Sequence, residues 1–373
     1  MAVANSFPAY INSTYLSKFV NERELSLLFA ASSILAIFCM LNVPKVIKRL
    51  GNVFTIVLLA ILNIIALLPL IFSETVGLIL AAFVCYYALS LLIRYALDVY
   101  LENLSEDKNT GLIRGVYMTF YNLAWLASPL LAALLVSNDG YWKTYGIAAL
   151  AMVPLIAISL IFLKESRLVK TDPRSIWQEL KYLWQQKDSK SKSLYNILIV
   201  DFLLNFFYAT MVIYMPLYLH EHIGLPWVKI GLVFTIMLLP FVLFELPLGT
   251  LADRKTGEKE LLLAGTVIIG LSTILASFIK SPNWLIWATL LFLTRVGAAT
   301  IEMMKETYLF KKINADDTGI ISLSRINVPF SYLVGPIFAS LVMFIFGFKF
   351  IFLCLGLIML FGIKFISQLK DTR

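Results

Sequence analysis

The chain has 373 residues, of which 60% are hydrophobic and 14% charged, with mean hydropathy +0.84 and formal net charge +8. Soluble domains carry about 25% charged residues, so this composition excludes a water-soluble globular fold. Most Lys and Arg flank apolar runs instead of forming a patch, so nucleic acid is not an expected partner.

Apolar runs of about 20 residues recur along the chain, each long enough to cross a hydrocarbon core about 30 Å thick. In lipid such runs satisfy their backbone groups as helices, which makes this an all-α membrane protein. Twelve spans are predicted, at 2–19, 25–43, 53–72, 76–100, 112–136, 143–163, 195–219, 228–248, 259–279, 284–308, 318–345 and 348–367. Loop 44–52 carries Lys45, Lys48 and Arg49, and loop 249–258 carries Arg254 and Lys255, with Lys259 just after it. Stretch 164–194 carries Lys164, Arg167, Lys170, Arg174, Lys181, Lys187, Lys190 and Lys192, whereas the alternate loops are nearly free of Lys and Arg. Cytoplasmic loops are the basic ones. Both termini are therefore expected in the cytoplasm, with the chain multi-pass in the plasma (inner) membrane.

No basic stretch precedes an apolar run at the start, so a cleavable signal peptide is not expected. Cys39, Cys85 and Cys354 all lie inside apolar runs, in no metal or disulfide pattern. Stretch 164–194 separates an N-terminal six-helix half (1–163) from a C-terminal one (195–373). Within it Asp172-Pro173 precedes Ile176, Trp177, Leu180, Leu183 and Trp184. This reads as a capped amphipathic helix at the membrane surface or, alternatively, a solvated linker.

The halves repeat. Gly51 and Gly257 follow the basic turns 206 residues apart, and Asp98-Val99-Tyr100-Leu101 stands 208 residues before Glu306-Thr307-Tyr308-Leu309. Gly115, Ala124, Ser128-Pro129 and Ala133 match Ser322, Ser331, Gly335-Pro336 and Ser340 at an offset of 207. Six is even, so the copies share one orientation, and a substrate site is expected between them near the midplane. The same offset leaves the first span about ten residues short. The native chain is expected to start upstream of Met1, or the first span to be a weakly inserted stub.

These features resemble the major facilitator superfamily, whose signature turn between the second and third spans, often echoed between the eighth and ninth, is Gly-x-Leu-Ala-Asp-Arg-x-Gly-Arg-Lys. Gly249-Thr250-Leu251-Ala252-Asp253-Arg254 matches it, with one inserted residue placing Gly257 and Lys259 a position late. The first-half copy, PKVIKRLG, keeps the basic residues and Gly51 but has Ile47 in place of the Asp. The resemblance implies two parallel six-helix repeats around a central cavity, lined by the first, fourth, seventh and tenth spans. It also implies that Asp253 accepts from free N–H groups at the start of the fifth span, near Leu112, where a helix dipole favours an anion. The pattern Gly115-x8-Ala124-x3-Ser128-Pro129-x3-Ala133 is similar to the fifth-span signature of the family's antiporters; close packing of small residues explains it equally well.

Ionisable groups within spans are costly and face a cavity or one another. On the seventh span Asp201, Asn205 and Tyr208 share one helical face and, with Tyr214, make the most polar stripe of any span. The resemblance puts Asp201 on the cavity wall, where a buried carboxylate could exchange a proton during transport; a structural pair with a neighbouring helix is the alternative. On the tenth span Arg295, Glu302 and Glu306 lie near a common line, and on the fourth Arg94 and Asp98 could pair. Arg94, Asp98, Glu302 and Glu306 are expected to gate, while Arg295, nearer the middle, is the ligand candidate and points weakly to an anionic solute. Tyr86, Tyr87, Trp284 and Trp287 are expected to face the cavity. His220-Glu221-His222 lacks a third ligand and reads as a solvated outer turn.

No nucleotide loop, nucleophile elbow or HExxH pattern occurs, so neither enzymatic activity, metal nor cofactor is expected. The expected function is secondary active transport of a small solute by alternating access, proton-coupled through Asp201 and with antiport slightly favoured, in a monomer within the lipid bilayer. The rival is a non-transporting receptor or assembly partner built on the same fold.

Overall fold

A computed structural model describes the backbone of residues 1–104, 110–137, 140–165, 189–254, 257–312 and 318–370. Their side chains are described except at 102–104, 110–119, 189, 245–254, 310 and 318–322. The described residues are helical, with no strand among them. The first eight helices are α1 (Ala2–Ala9), α2 (Asn12–Leu16), α3 (Glu22–Met40), α4 (Val43–Leu50), α5 (Asn52–Phe72), α6 (Val76–Leu104), α7 (Thr110–Val136) and α8 (Tyr141–Phe162). The rest are α9 (Ser189–Leu217), prolonged by a π-helical turn Tyr218–His222, then α10 (Trp227–Arg254), α11 (Glu258–Ala276), α12 (Trp284–Lys312), α13 (Thr318–Phe346), α14 (Phe350–Phe361) and α15 (Ile363–Ser367). Ten stretches are long and apolar enough to cross a membrane, and Phe120–Val136 adds a shorter apolar one. Large apolar side chains such as Phe72, Leu150 and Ile161 stand exposed; lipid, not water, is the solvent that tolerates so much of this surface. The predicted amphipathic helix around Trp177 lies outside the described residues.

The chain forms two compact units. The first is Met1–Lys170 with Val212–His220 and Pro226–Gly231; the second is Thr171–Met211, Glu221–Leu225 and Leu232–Arg373. In the first unit α5 packs on α6 and α8, α3 on α6, and α1 on α7 and α8. In the second, α11 packs on α12 and α14.

The first span departs from the continuous helix predicted over 2–19. Pro8 lacks the N–H that would continue the ladder, α1 stops at Ala9, and α2 resumes at Asn12. The polar residues that make this segment look poorly suited to lipid point inward: Ser6, Asn12, Ser13 and Thr14 are all buried. Ser6 Oγ shares a 2.6 Å hydrogen bond with Ser128 Oγ of α7, and Tyr145 of α8 donates to Asn12 Oδ1 at 3.0 Å. Next in the chain, α3 opens on a capping box. Asn21 Oδ1 accepts from the N–H groups of Arg23 and Glu24, and Glu24 accepts from the Asn21 N–H, all at 3.0 Å.

The basic turn of the first half, predicted as a loop, contains helix α4. It is closed by Gly51 at φ +93°, a backbone conformation that favours glycine. Ile47, which stands where the family pattern has Asp, is completely buried, so an apolar core position has replaced a polar one. Glu165, just beyond α8, accepts from the N–H groups of Val53 and Phe54 at 2.9 and 3.1 Å, capping the start of α5. It sits where a side chain on residue 51 would stand: a Cβ there would come within 2.3 Å of the Glu165 carboxyl carbon.

Small residues set helix spacing in both units, as expected where lipid gives no hydrophobic drive to association. A Cβ on Gly297 (α12) would meet the Gly265 carbonyl oxygen at 2.6 Å and Ile269 N at 2.7 Å on α11. A Cβ on Gly356 (α14) would meet the Gly270 carbonyl oxygen, also at 2.6 Å. In the first unit a Cβ on Gly231 of α10 would come within 2.6 Å of Ala133 Cβ and 3.0 Å of the Pro129 carbonyl oxygen. The Ser128-Pro129-x3-Ala133 stretch that resembles an antiporter signature thus also provides a close helix contact.

Candidate functional site

The most polar cluster of the second unit is built by α9, α12 and α13. Asp201, only 5% exposed, lies on α9. Its Oδ1 accepts from Lys305 Nζ of α12, which forms an ion pair with it, and from Asn205 Nδ2 one turn along at 3.1 Å. Its Oδ2 accepts from Ser324 Oγ at 3.0 Å and Asn327 Nδ2 at 2.8 Å, both on α13. The amide of Asn327 reaches as well to the Leu198 carbonyl at 3.1 Å. One carboxylate therefore ties three helices together. A carboxylate has about four lone-pair sites, and this one uses all of its capacity. Glu302 and Glu306 add negative charge around the same Lys305 ammonium.

Three helical turns toward the start of α12 lies Arg295, whose side chain is almost wholly buried. Its guanidinium carbon stands 5.1 Å from the Phe207 ring centre and 5.3 Å from that of Tyr208, a cation–π arrangement. Its Nε and Nη1 are buried without a hydrogen-bond acceptor among the described residues. Tyr208 donates its hydroxyl to Glu302 Oε2 at 2.6 Å. Tyr208 of α9 thus contacts two residues of α12, Arg295 at its ring and Glu302 at its hydroxyl.

Several sequence-predicted residues therefore meet here: Asp201 with Asn205, and Tyr208 with Arg295 and Glu302. Others do not join them. Tyr214, placed on the same stripe, instead shares a 2.6 Å hydrogen bond with Ser26 Oγ of α3 in the first unit. Arg94 lies 5.2 Å over the Tyr121 ring in the first unit, and Asp98 is half-buried on the same helix α6. Glu306 is the exception: exposed on α12, it still places its charge beside Lys305. Trp287 is fully buried and donates to the Ser281 carbonyl at 2.9 Å, which makes it a fastening for the turn before α12 and not a cavity wall. His220 and His222 stack on Trp227 and Phe348, at 4.7 and 4.5 Å between ring centres.

In the signature turn, Gly249 belongs to α10, which runs helical through Leu251 and Ala252 to Arg254. Gly257 is buried and opens α11 as its N-cap. The side chains of Asp253 and Arg254, and the contact expected near Leu112, lie outside the described residues. Just past the turn, Lys259 donates to the carbonyls of Ser367 and Leu369 at 2.8 and 3.1 Å, where the last helix ends. Lys311 pairs with Glu258, and Tyr308 donates to the Lys370 carbonyl at 2.8 Å.

Lys305, Ser324 and Asn327 escape the sequence reading. The line drawn through Arg295, Glu302 and Glu306 passes Lys305 by, because ten residues at 3.6 per turn leave it about 80° round the helix from Arg295. A usable signal existed: a lysine inside a span needs an acid, and Asp201 is the acid on a neighbouring span.

The chain agrees with known proteins along its length. The pattern of the Major Facilitator Superfamily matches residues 1–237 and again 228–370. No curated protein matches the chain. Among solved structures it is similar to one described as the crystal structure of a POT family transporter in complex with 5-aminolevulinic acid, at TM-score 0.79 and 13% identity, covering 98% of this chain and 93% of that one. An identity this low speaks for the fold alone, and the fold agrees with the matched pattern. The all-α architecture, the repeated halves and a pattern matched along nearly the whole chain converge: this protein belongs to the major facilitator superfamily.

Proposed function

We propose that the protein is a proton-coupled secondary transporter in which the Asp201–Lys305 pair carries the coupling. Family membership makes it a multi-pass membrane transporter of a small solute; the coupling, the direction and the site residues are the reading argued here. The observation that carries it is the Asp201 carboxylate, held by donors from its own helix and two others, with Lys305 as its counter-charge. Adding one proton to such a carboxylate removes the charge that holds Lys305 and turns an acceptor into a donor. A single proton would thus loosen α9 from α12 and α13, which is how protonation could bias the rocking of the halves. Coupling of this kind needs a differential interaction between two states, and protonation of Asp201 would supply one by weakening the three-helix network. The small-residue spacing of the fifth span supports exchange slightly over uptake.

The test is reconstitution into liposomes loaded with a pH-sensitive dye and challenged with sugars, organic acids, amino acids and hydrophobic cations. The wild type is expected to move protons with at least one of these. Asp201→Asn is expected to retain solute-for-solute exchange and to lose proton movement, with Asp201→Asn/Lys305→Met run beside it to separate coupling from lost stability. Proton movement that survives in both variants removes Asp201 from the mechanism. A folded wild type that moves none of the solutes supports the non-transporting receptor reading.

A further inference from the structure

The side chains bonded to Asp201 differ in whether their bonds can reverse, and that difference bears on where the proton of the proposed coupling sits. This inference rests on that coupling and deepens it. Lys305 is an ammonium with no lone pair, so it only donates. Asn205 Nδ2 donates to the Asp201 backbone carbonyl at 2.8 Å as well as to Oδ1. A carbonyl oxygen only accepts, so this amide is fixed with its nitrogen toward Asp201. Asn327 is fixed in the same way, because its Nδ2 donates to the Leu198 carbonyl as well as to Oδ2. Both described partners of Oδ1, and one of the two on Oδ2, are therefore obligatory donors. The Ser324 hydroxyl is different: it donates to Oδ2 at 3.0 Å, but it also carries two lone pairs and rotates about its C–O bond.

We propose that Ser324 is the partner of the coupling proton: Asp201 is protonated on Oδ2, and the new O–H donates to Ser324 Oγ. The carboxylate gains one proton and the serine loses none, since its own hydrogen only turns away. Serines within helices donate readily to the carbonyl one turn back, and on α13 that carbonyl belongs to Ile320. Protonation on Oδ1 would instead set the new O–H against the Lys305 ammonium and the Asn205 amide nitrogen, neither of which accepts. Ser324 is thus a positioning residue that acts through Asp201, holding the carboxylate in one state and receiving its proton in the other. The charges around the pair are Lys305, Glu302 and Glu306 on α12, with Arg325 next to Ser324 in the chain of α13. From α9 the neutral Asn205 faces the carboxylate.

The experiment is a pH titration of the purified protein followed by infrared difference spectroscopy, which reads the C=O stretch of a protonated carboxyl group and needs no solute. The band missing from Asp201→Asn belongs to Asp201. Leaving a buried donor without a partner costs enough to move the midpoint of that band by about one pH unit. In Ser324→Ala the acid loses its acceptor while the carboxylate keeps three donors, so the midpoint should fall by about one unit. In Asn327→Leu the carboxylate loses a donor while the acid keeps its acceptor, so the midpoint should rise. Ser324→Thr keeps the hydroxyl and should keep the wild-type midpoint, which also shows that position 324 tolerates change without loss of the fold. A midpoint that rises or stays in Ser324→Ala makes Ser324 one more donor to the carboxylate and overturns the proposal. If proton movement into liposomes nonetheless depends on Asp201, the coupling stands and this inference alone falls. If no band is missing from Asp201→Asn at any pH, Asp201 takes up no proton and both readings fail together.

Discussion

The two halves bury polar groups of different kinds. In the first half the buried polar side chains, among the described residues, are all neutral: Ser6 with Ser128, Asn12 with Tyr145, Asn63 with Ser90 and the Tyr86 carbonyl. In the second half the buried set includes Asp201, Glu258 and Arg295. The repeat sharpens the contrast, because the offset of 208 that aligns Asp98 with Glu306 places Leu97 opposite Lys305. One scaffold has thus been filled twice, once with hydroxyls and amides that hold helices together whatever the proton activity, and once with charges whose state can change. Neutral hydrogen bonds in a membrane contribute on average about 0.6 kcal/mol each. Removing one partner from a buried ion pair costs about 3–5 kcal/mol. On the proposed coupling, the first half would act as a frame and the second as a switch.

That contrast can be broken in order of size. Lys305→Met strands the Asp201 carboxylate among Ser324, Asn327 and Asn205 and should destabilise the protein by about 3–5 kcal/mol. Adding Asp201→Asn should recover most of the loss; thermal unfolding of the solubilised protein reads both, and an unchanged melting temperature in the single variant would show that the second half is no more charge-dependent than the first. Gly297→Ala puts a methyl group against α11 backbone atoms 2.6–2.7 Å away, and the overpacking should cost about 1–3 kcal/mol. Ser6→Ala removes the tie between α1 and α7 and should cost about 1 kcal/mol; a loss as large as that of Lys305→Met would erase the proposed difference between frame and switch. Glu165→Gln weakens the cap on α5 by about 0.5 kcal/mol. It is best read as faster hydrogen exchange at Val53 and Phe54, with the other helices unaffected.

Composition and period alone determined that the chain is helical and crosses a membrane, because a bilayer accepts little else over runs of that length. The repeat and the Leu251-Ala252-Asp253-Arg254 stretch were enough to point to the family. The polar face of α9 was legible too, since Asp201, Asn205 and Tyr208 lie at helical spacing on one segment, and so was Arg295 as the charge nearest the middle of its span. What lay out of reach was pairing between segments far apart in the chain. Lys305, Ser324 and Asn327 stand 104 to 126 residues from Asp201, and no local period connects them. The broken first span and the buried Ile47 belong to the same class. Hydropathy scores a residue against lipid, but Ser6, Asn12 and Ile47 face neighbouring helices, and only the tertiary structure decides which face a residue turns to which neighbour.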